Sequence, residues 1–510
     1  MEPLAEKILA TLRGEFESNP LLKALQDFAG THSPPLYLVG GHLRDIALER
    51  PVQNTGPDVD CAVPKAEESA RGFAEKTGGH LIRLDAANWR VIAGHQGPSG
   101  APSGWVDFSD LRGHDIRKDL HARDFTINAL ACRLPDLDDL LDPENGIADC
   151  KARRVRAVSK NSFRDDPIRL LRAYRLGAQL NFSIDPETVS YLGRDAAFLE
   201  GQPGERLRAE LFGILAEPTG GRTLRQMRDS GVLHVLFPEC RRMEGVEQGG
   251  RHHTDVLTHS LDTVEALEGI LKELPPDPLG KDPLGRSALD YLSPPHRHPV
   301  LKLAALLHDA GKPETKAAAE RPPPGRPTSE EAFTFHGHER VGAEKALAIA
   351  KELRMSRRER ESLLRLVSLH MRPGFLFWES GGDPKAVSPR ALHRLARDAG
   401  EDLPGLALLA VADGFSQRGP LSNPQESAQI VGFAQGVLAR VEASIYPVLQ
   451  GKRLLTGHDL MESLGISEGP FLGTLLREVE EAHTAGEIKT KREALRLAEK
   501  LAKAGEGNTH

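Results

Sequence analysis

The chain has 510 residues, 27% of them charged and only 5% aromatic, with a formal net charge of −7. That length allows about three or four domains with sizeable cores, and the negative balance argues against a uniformly basic nucleic-acid binder. Four cysteines without C-x-x-C spacing exclude a zinc knuckle and a disulfide framework and suit a reducing cytosol, and neither a membrane span nor a signal peptide is read.

In chain order, residues 1–33 read as an N-terminal amphipathic helical segment and 34–150 as a mixed α/β head, in which short β-branched runs alternate with helical stretches. The apolar run Leu36-Tyr37-Leu38-Val39 predicts a strand ending in Gly40-Gly41. Bare backbone N–H groups and the start of the next helix would there meet a phosphate, with Arg44 beside it. Asp58 and Asp60 lie two apart in a second strand (Val59, Cys61, Val63), so both carboxylates point to one face and can share a pair of divalent cations. Asp107, in the run Trp105-Val106-Asp107-Phe108, supplies a third catalytic carboxylate. Nucleotide transfer needs this combination.

A Gly/Pro/Ser loop interrupts the head at Gly97 to Gly104. After Pro167 the strand signal fades: Leu170, Leu171, Tyr174 and Leu176 keep helical periodicity, and the rest is mostly helical, broken by Pro-rich loops at 274–299 and 321–327. Asp166 and Arg169, three apart, are predicted as neighbours on one helix face, where carboxylate and guanidinium together match the edge of a base. From Lys151 to Ser230 roughly 15 Lys and Arg face about 10 Asp and Glu, a basic surface suited to a phosphate backbone. Further on, His259, His308-Asp309, His336, His338, His370 and Asp413 end apolar helical runs and can converge on one cation. A basic helix, Lys489 to Lys503, offers charge to RNA phosphates near the end.

These residues carry a resemblance. The order G-G-H-L-R-D (Gly40 to Asp45), D-V-D (Asp58 to Asp60), D-L-H-A-R-D-F-T-I-N-A-L (Asp119 to Leu130), L-L-D-P-E-N-G (Leu140 to Gly146) and D-D-P-I-R-L-L-R-A (Asp165 to Ala173) resembles the class II tRNA nucleotidyltransferases and bacterial poly(A) polymerases. The later His and Asp order is similar to the HD-domain phosphohydrolases. The resemblance implies an α+β protein: a polymerase-β-like nucleotidyltransferase head with a mixed sheet, an all-α neck at 151–245, an HD domain at 250–415 and a helical tail at 425–510.

It further implies Mg²⁺ on Asp58 and Asp60, a triphosphate held by Gly40, Gly41 and Arg44, and Arg123 and Asp124 on the nucleotide's sugar and phosphates, with Asn128 and Arg172 also binding nucleotide. Asp166 and Arg169 take the base-reading role, with Asp165 standing where the family usually has Glu. In the HD domain, His259, His308, Asp309, His338, His370 and Asp413 would hold Ni²⁺, Mn²⁺, Mg²⁺ or Fe for a 2′,3′-cyclic phosphodiesterase or phosphatase activity. The implied protein is a cytoplasmic enzyme that adds C and/or A, all of CCA or a CC- or A-only part, to the 3′ end of tRNA from CTP and ATP, releasing pyrophosphate. The alternatives are a poly(A) polymerase acting on other RNA 3′ ends, and an HD phosphohydrolase or RNA-binding protein with a degenerate head, which the intact Asp58 and Asp60 argue against. Two departures stand out: Ala122 occupies the first of two positions where the family commonly has Arg, and 113–118 is shorter than the flexible loop of many full CCA-adding relatives. The short loop reads either as a stop after two cytidines or as a trim compensated elsewhere.

Overall fold

The computed structural model describes residues 3–50, 58–92, 104–249, 252–273, 283–318, 333–419, 424–451 and 453–506. They fall into two compact units, one of Met1–Gln202 with Asp229–Val235, the other of Pro203–Arg228 with Leu236–His510. The region expected as one neck, 151–245, is thus divided between them.

The first unit opens with α1 (Pro3–Ser18) and α2 (Pro20–Thr31). Between them Asn19 accepts from the backbone N–H groups of Leu21 and Leu22, and Pro20 takes a first-turn position where no N–H is needed. Their apolar stripes (Ile8, Leu9, Leu12, Phe16, Leu25, Phe28) are buried in the same core as the sheet that follows. The expected boundary at residue 33 therefore cuts through a single core. Two side chains tie these helices to later chain: Arg13 Nε donates to the Leu137 carbonyl at 3.1 Å and Gln26 Nε2 to that of Pro135 at 2.8 Å.

The sheet has seven strands: β1 (Leu36–Val39), β2 (Asp58–Val63), β3 (His80–Arg83), β4 (Asn88–Ile92), β5 (Trp105–Asp110), β6 (Ala131–Leu134) and β7 (Leu140–Leu141), in the order β3-β4-β5-β2-β1-β6-β7. Only β2 and β5 pair in parallel; the other neighbours are antiparallel. Alternation decides the faces: Val59, Cys61 and Val63 enter the core with Val106 and Phe108, which turns Asp60 to the opposite side. α4 (Ala66–Thr77) covers the core side, where Phe73 bridges Phe28 and Phe108 at ring-centroid distances of 5.5 and 5.7 Å. α3 (Gly41–Ala47) follows the double glycine, and α5 (Ile116–His121) is capped by Asp115. A short 3₁₀ turn, Arg112–His114, leads into α5, so no long loop stands there. The Gly/Pro/Ser stretch lies outside the described residues up to 103.

One expectation fails at the next element. Asp166 and Arg169 do not share a helix: α6 (Ser162–Asp165) stops at Asp166, which is extended at φ −148° and ψ 101°, and α7 (Arg169–Leu180) starts afresh. Pro167 is the reason, since its ring disfavours helical backbone in the residue before it.

The described part of the second unit is almost wholly helical. Its site is carried by α8 (Val256–Glu273), α9 (Arg297–Leu307), α10 (His338–Glu352), α11 (Arg357–Leu369), α12 (Met371–Glu379) and α13 (Leu403–Ser416). α9 is apolar nearly all round and runs through the interior. Its one ammonium, Lys302, is satisfied by Glu268 Oε1 at 2.7 Å and the Glu217 carbonyl at 2.6 Å. The Pro-rich segment 274–299, expected to be loop, contains a helix at Pro283–Leu292; Pro283 sits at its first position, where proline starts helices rather than breaking them. The other such segment, 321–327, lies outside the described residues. No described helix is long and apolar enough to cross a membrane.

Candidate functional sites: a glycine cradle and a histidine–aspartate cluster

In the first unit the turn after β1 organises the site. Gly40 has φ 83° and ψ −139°, backbone that side-chain-bearing residues rarely adopt, and its N–H donates to the Leu130 carbonyl. A Cβ at Gly40 would lie 3.3 Å from a terminal nitrogen of Arg123 and 3.3 Å from Oδ2 of Asp60; one at Gly41 would lie 3.3 Å from the Arg44 guanidinium. The double glycine thus leaves an open cradle between two guanidinium groups and a carboxylate. Gly40→Ala is expected to cost about 1–3 kcal/mol of backbone strain and to lower nucleotide addition at least about tenfold. Primer extension and a thermal melt on the same preparation check both.

Around the cradle, three sequence motifs join into one network. Arg44 donates to both oxygens of Asp45 at 3.0 Å and to Asn128 Oδ1 at 2.7 Å; Asn128 Nδ2 donates to Asp124 Oδ1 at 3.2 Å; Arg172 donates to Asp124 Oδ2 at 3.3 Å. Burial opposes ionisation of Asp124, but Arg172, the Phe125 N–H and the Asn128 amide outweigh it and hold this carboxyl below its usual range. Arg123 is aimed by buried Asp119, whose Oδ2 accepts from its Nε at 3.0 Å. His42, within the glycine motif, is braced from α1 by Glu15 at 2.8 Å.

Asp60 faces Asp107 in the parallel register, and Asp107 faces Arg90 in the antiparallel one, so the three form a row across β2, β5 and β4. The side chain of Asp58 lies outside the described residues, although its backbone begins β2. Asp107, expected as a third carboxylate of the cation site, is held in this row by Arg90, which donates to both its oxygens at 2.7 Å. Arg169 is 7% exposed and donates to the carbonyls of Ala122 (3.0 Å), Arg123 (3.3 Å) and Ser162 (3.4 Å). It is sunk beneath the turn that carries Arg123 and Asp124. Asp166, at the helix break, caps the backbone N–H of Ile168 at 3.3 Å. At Ala122 the chain uses the carbonyl, which also accepts from Arg112 at 2.8 Å.

In the second unit the expected ligands do converge. His308 and His370 follow the last turns of α9 and α11, where helix carbonyls lack partners; their Nδ1 atoms bond the carbonyls of Ala305 (2.8 Å) and Val367 (2.7 Å). His338 does the same to Phe335 at 2.8 Å, and His259 Nδ1 meets Ser416 Oγ at 3.1 Å. Each Nδ1 engaged this way leaves Nε2 as the lone-pair donor, the arrangement that orients metal-binding imidazoles. The six side chains form two triads, His259–His308–Asp413 and Asp309–His338–His370, each with ligand atoms within 4.8 Å of one another. Asp309 links them: Oδ2 lies 3.2 Å from His308 and 3.6 Å from His259, Oδ1 lies 3.3 Å from His338 and 3.7 Å from His370.

This set fits divalent cations. Nε2 of His259 and Nε2 of His308 are buried and turned to carboxylate oxygens, of Asp413 at 3.0 Å and of Asp309 at 3.2 Å, so imidazole and carboxylate donors crowd together as they do around a cation. Burial and the neighbouring His308 push His370 down to about 3, so it is the neutral, ligating form at pH 7. Burial alone would raise Asp309, but His308 and Lys312 hold it well below the ordinary carboxylate range. His336 lines the adjoining cavity without entering either triad. Sequence reasoning assigned no role to Asp45, Arg90, Asp119 or Lys312. Lys312, whose Nζ reaches Asp309 Oδ2 at 2.6 Å and Gln248 Oε1 at 2.7 Å, stood in the same H-D-A-G-K run as the ligands.

Comparisons with known proteins cover the regions that carry both sites. The poly A polymerase head domain model matches residues 36–156, a probable RNA- and SrmB-binding site of polymerase A matches 181–243, and the HD domain matches 256–417. An A-adding tRNA nucleotidyltransferase of Deinococcus radiodurans is 33% identical over 485 residues, covering 93% of this chain and 97% of that one. A CC-adding tRNA nucleotidyltransferase of Thermus thermophilus is 31% identical, covering 92% and 94%. In fold, the chain resembles the Thermotoga maritima CCA-adding enzyme solved with tRNA, at a TM-score of 0.58 and 20% identity over 97% of this chain and 98% of that one. The head and HD domain together imply use of divalent metal. The chain belongs to the tRNA nucleotidyltransferases, enzymes in which a poly A polymerase head is here joined to an HD domain.

Proposed function

We propose that the protein adds one part of the CCA end to tRNA in the cytoplasm, either the two cytidines from CTP or the final adenosine from ATP, with release of pyrophosphate. The observation that carries this is coverage: the A-adding and CC-adding relatives match over nine-tenths of this chain, whereas a multifunctional CCA protein of Ralstonia nicotianae matches over 56%. The short stretch 113–118, which begins in the Arg112–His114 turn, reads either as a stop after two cytidines or as a trim compensated elsewhere, and the first of these fits a partial enzyme. Four free, buried cysteines suit a reducing compartment.

Gly40, Gly41, Arg44 and Arg123 receive the triphosphate, and the Asn128–Asp124–Arg172 chain holds the sugar side. Asp58 and Asp60 hold Mg²⁺, which supplies activation of the 3′ hydroxyl and charge stabilisation at the α-phosphate. Asp107 acts through Arg90, keeping the carboxylate row aligned and its charge balanced. Asp166 faces the base directly, while Arg169 fixes the turn against which the base is read. His259, His308, Asp309, His338, His370 and Asp413 would hold divalent metal, which would supply an activated water for hydrolysis of phosphate esters of the 2′,3′-cyclic or monoester kind.

The test is to incubate the protein with tRNA ending before CCA and with tRNA ending in CC, supplying CTP and ATP together, and to sequence the products. Extension of one substrate by its missing part alone is the expected result; a complete CCA on the shorter tRNA defeats the proposal.

A further inference from the structure

Beside the histidine–aspartate cluster lies a cavity of about 510 Å³. Asp309, His338, His370 and Asp413 of the cluster line it with Lys312, and aromatic rings line it as well. Phe375 and Trp378 line it from α12, three residues apart on one helix side, and are 56% and 49% exposed. Exposed Phe and Trp are few among the described residues (Phe198, Phe375, Trp378, Phe471), and two of them meet on this nine-residue helix. Trp378 is not loosely placed: buried Phe377 braces its ring edge-on at 5.2 Å and is itself packed against Phe433 at 5.4 Å.

We propose that Phe375 and Trp378 form a stacking platform for a nucleobase, so that the HD cavity selects a phosphate ester carried on a nucleoside over the same ester without a base. This rests on the proposed hydrolase reading of the cluster. A nucleotide joins an anionic phosphate to a flat apolar base, as the lining joins the histidine–aspartate cluster to exposed aromatic rings, and the volume lies within the roughly 300–1,000 Å³ typical of small-molecule pockets. Glu339 and Glu426 also line the cavity, which favours one nucleotide, free or at an RNA terminus, over an extended polyanion. In the reaction, water oxygen bonds to phosphorus, one phosphorus–ribose oxygen bond breaks, and the released ribose oxygen takes a proton.

The experiment uses the full chain with Mn²⁺, Ni²⁺, Co²⁺ or Mg²⁺ and three substrates: adenosine 2′,3′-cyclic phosphate, an oligoribonucleotide ending in that cyclic phosphate, and methyl riboside 2,3-cyclic phosphate, which lacks a base. Wild type is expected to favour a base-bearing substrate at least about tenfold in kcat/KM, the size of one base–aromatic stack. Phe375→Ala and Trp378→Ala are expected to erase that preference through KM, and Trp378→Phe to keep most of it. The first two substrates tell a free nucleotide from an RNA end. Equal rates with and without the base, or variants that depress both substrates alike, overturn the platform. If nothing is hydrolysed, the hydrolase reading fails by itself, and the platform is still read from tryptophan emission. Quenching by the cyclic nucleotide in wild type that disappears in Trp378→Phe supports it, and no difference overturns it.

Discussion

Asp60→Asn is expected to lower nucleotide addition by about a thousandfold or more, because a cation site worth several kcal/mol to the transition state loses a ligand. Asp58→Asn should behave the same way. Asp107→Asn should cost only about tenfold: its oxygens are already committed to Arg90, so the change weakens a charge-assisted pair, worth about 1.5–3 kcal/mol, rather than a cation's coordination. Single-turnover incorporation of CTP or ATP into the tRNA substrate reads all three, with circular dichroism melts to confirm folding. Near-normal addition by Asp60→Asn would mean that the site lies elsewhere. An Asp107→Asn defect as deep as that of Asp60→Asn, in a folded protein, would restore Asp107 as a direct ligand.

The second large effect belongs to Asp309. Because each of its oxygens faces a different triad, Asp309→Asn should loosen both cations at once. Metal content by mass spectrometry is expected to fall from about two per chain to below one, with ester hydrolysis down about a hundredfold. Addition to tRNA should stay within about twofold of wild type. Chelation should lower the melting temperature of wild type and leave the variant unmoved, since a cation that binds only the folded state adds to its stability. A variant that keeps both metals, or one that folds but loses nucleotide addition, would break this account.

How legible these sites were in the sequence depended on how local the signal is. Gly40, Gly41 and Asp60 were readable because a double glycine and a period-two strand each declare their geometry over a few residues. The convergence of the six HD residues was readable because their order along the chain resembles the HD-domain phosphohydrolases, although their split into two triads linked by Asp309 was not. The grip of Arg90 on Asp107 depends on strand register across 17 residues, which no local pattern records. Asp166 and Arg169 were misplaced for a different reason. Helical spacing was applied across Pro167, although the proline itself signals a break. The helix at Pro283–Leu292 was lost to the opposite habit, reading every proline as an interruption.

The way α1 and α2 are anchored bears on how the chain is made. Arg13 bonds a carbonyl 124 residues downstream and Gln26 one 109 residues downstream. At about 5–20 residues per second of synthesis, those partners leave the ribosome roughly 5–25 s after the helices do. Throughout that interval the faces bearing Ile8, Leu12, Leu25 and Phe28 lack part of the core that finally covers them. α1 and α2 are thus fully packed only after chain more than a hundred residues downstream has been made. The nascent chain is in that period a natural client for any factor that shelters apolar helices.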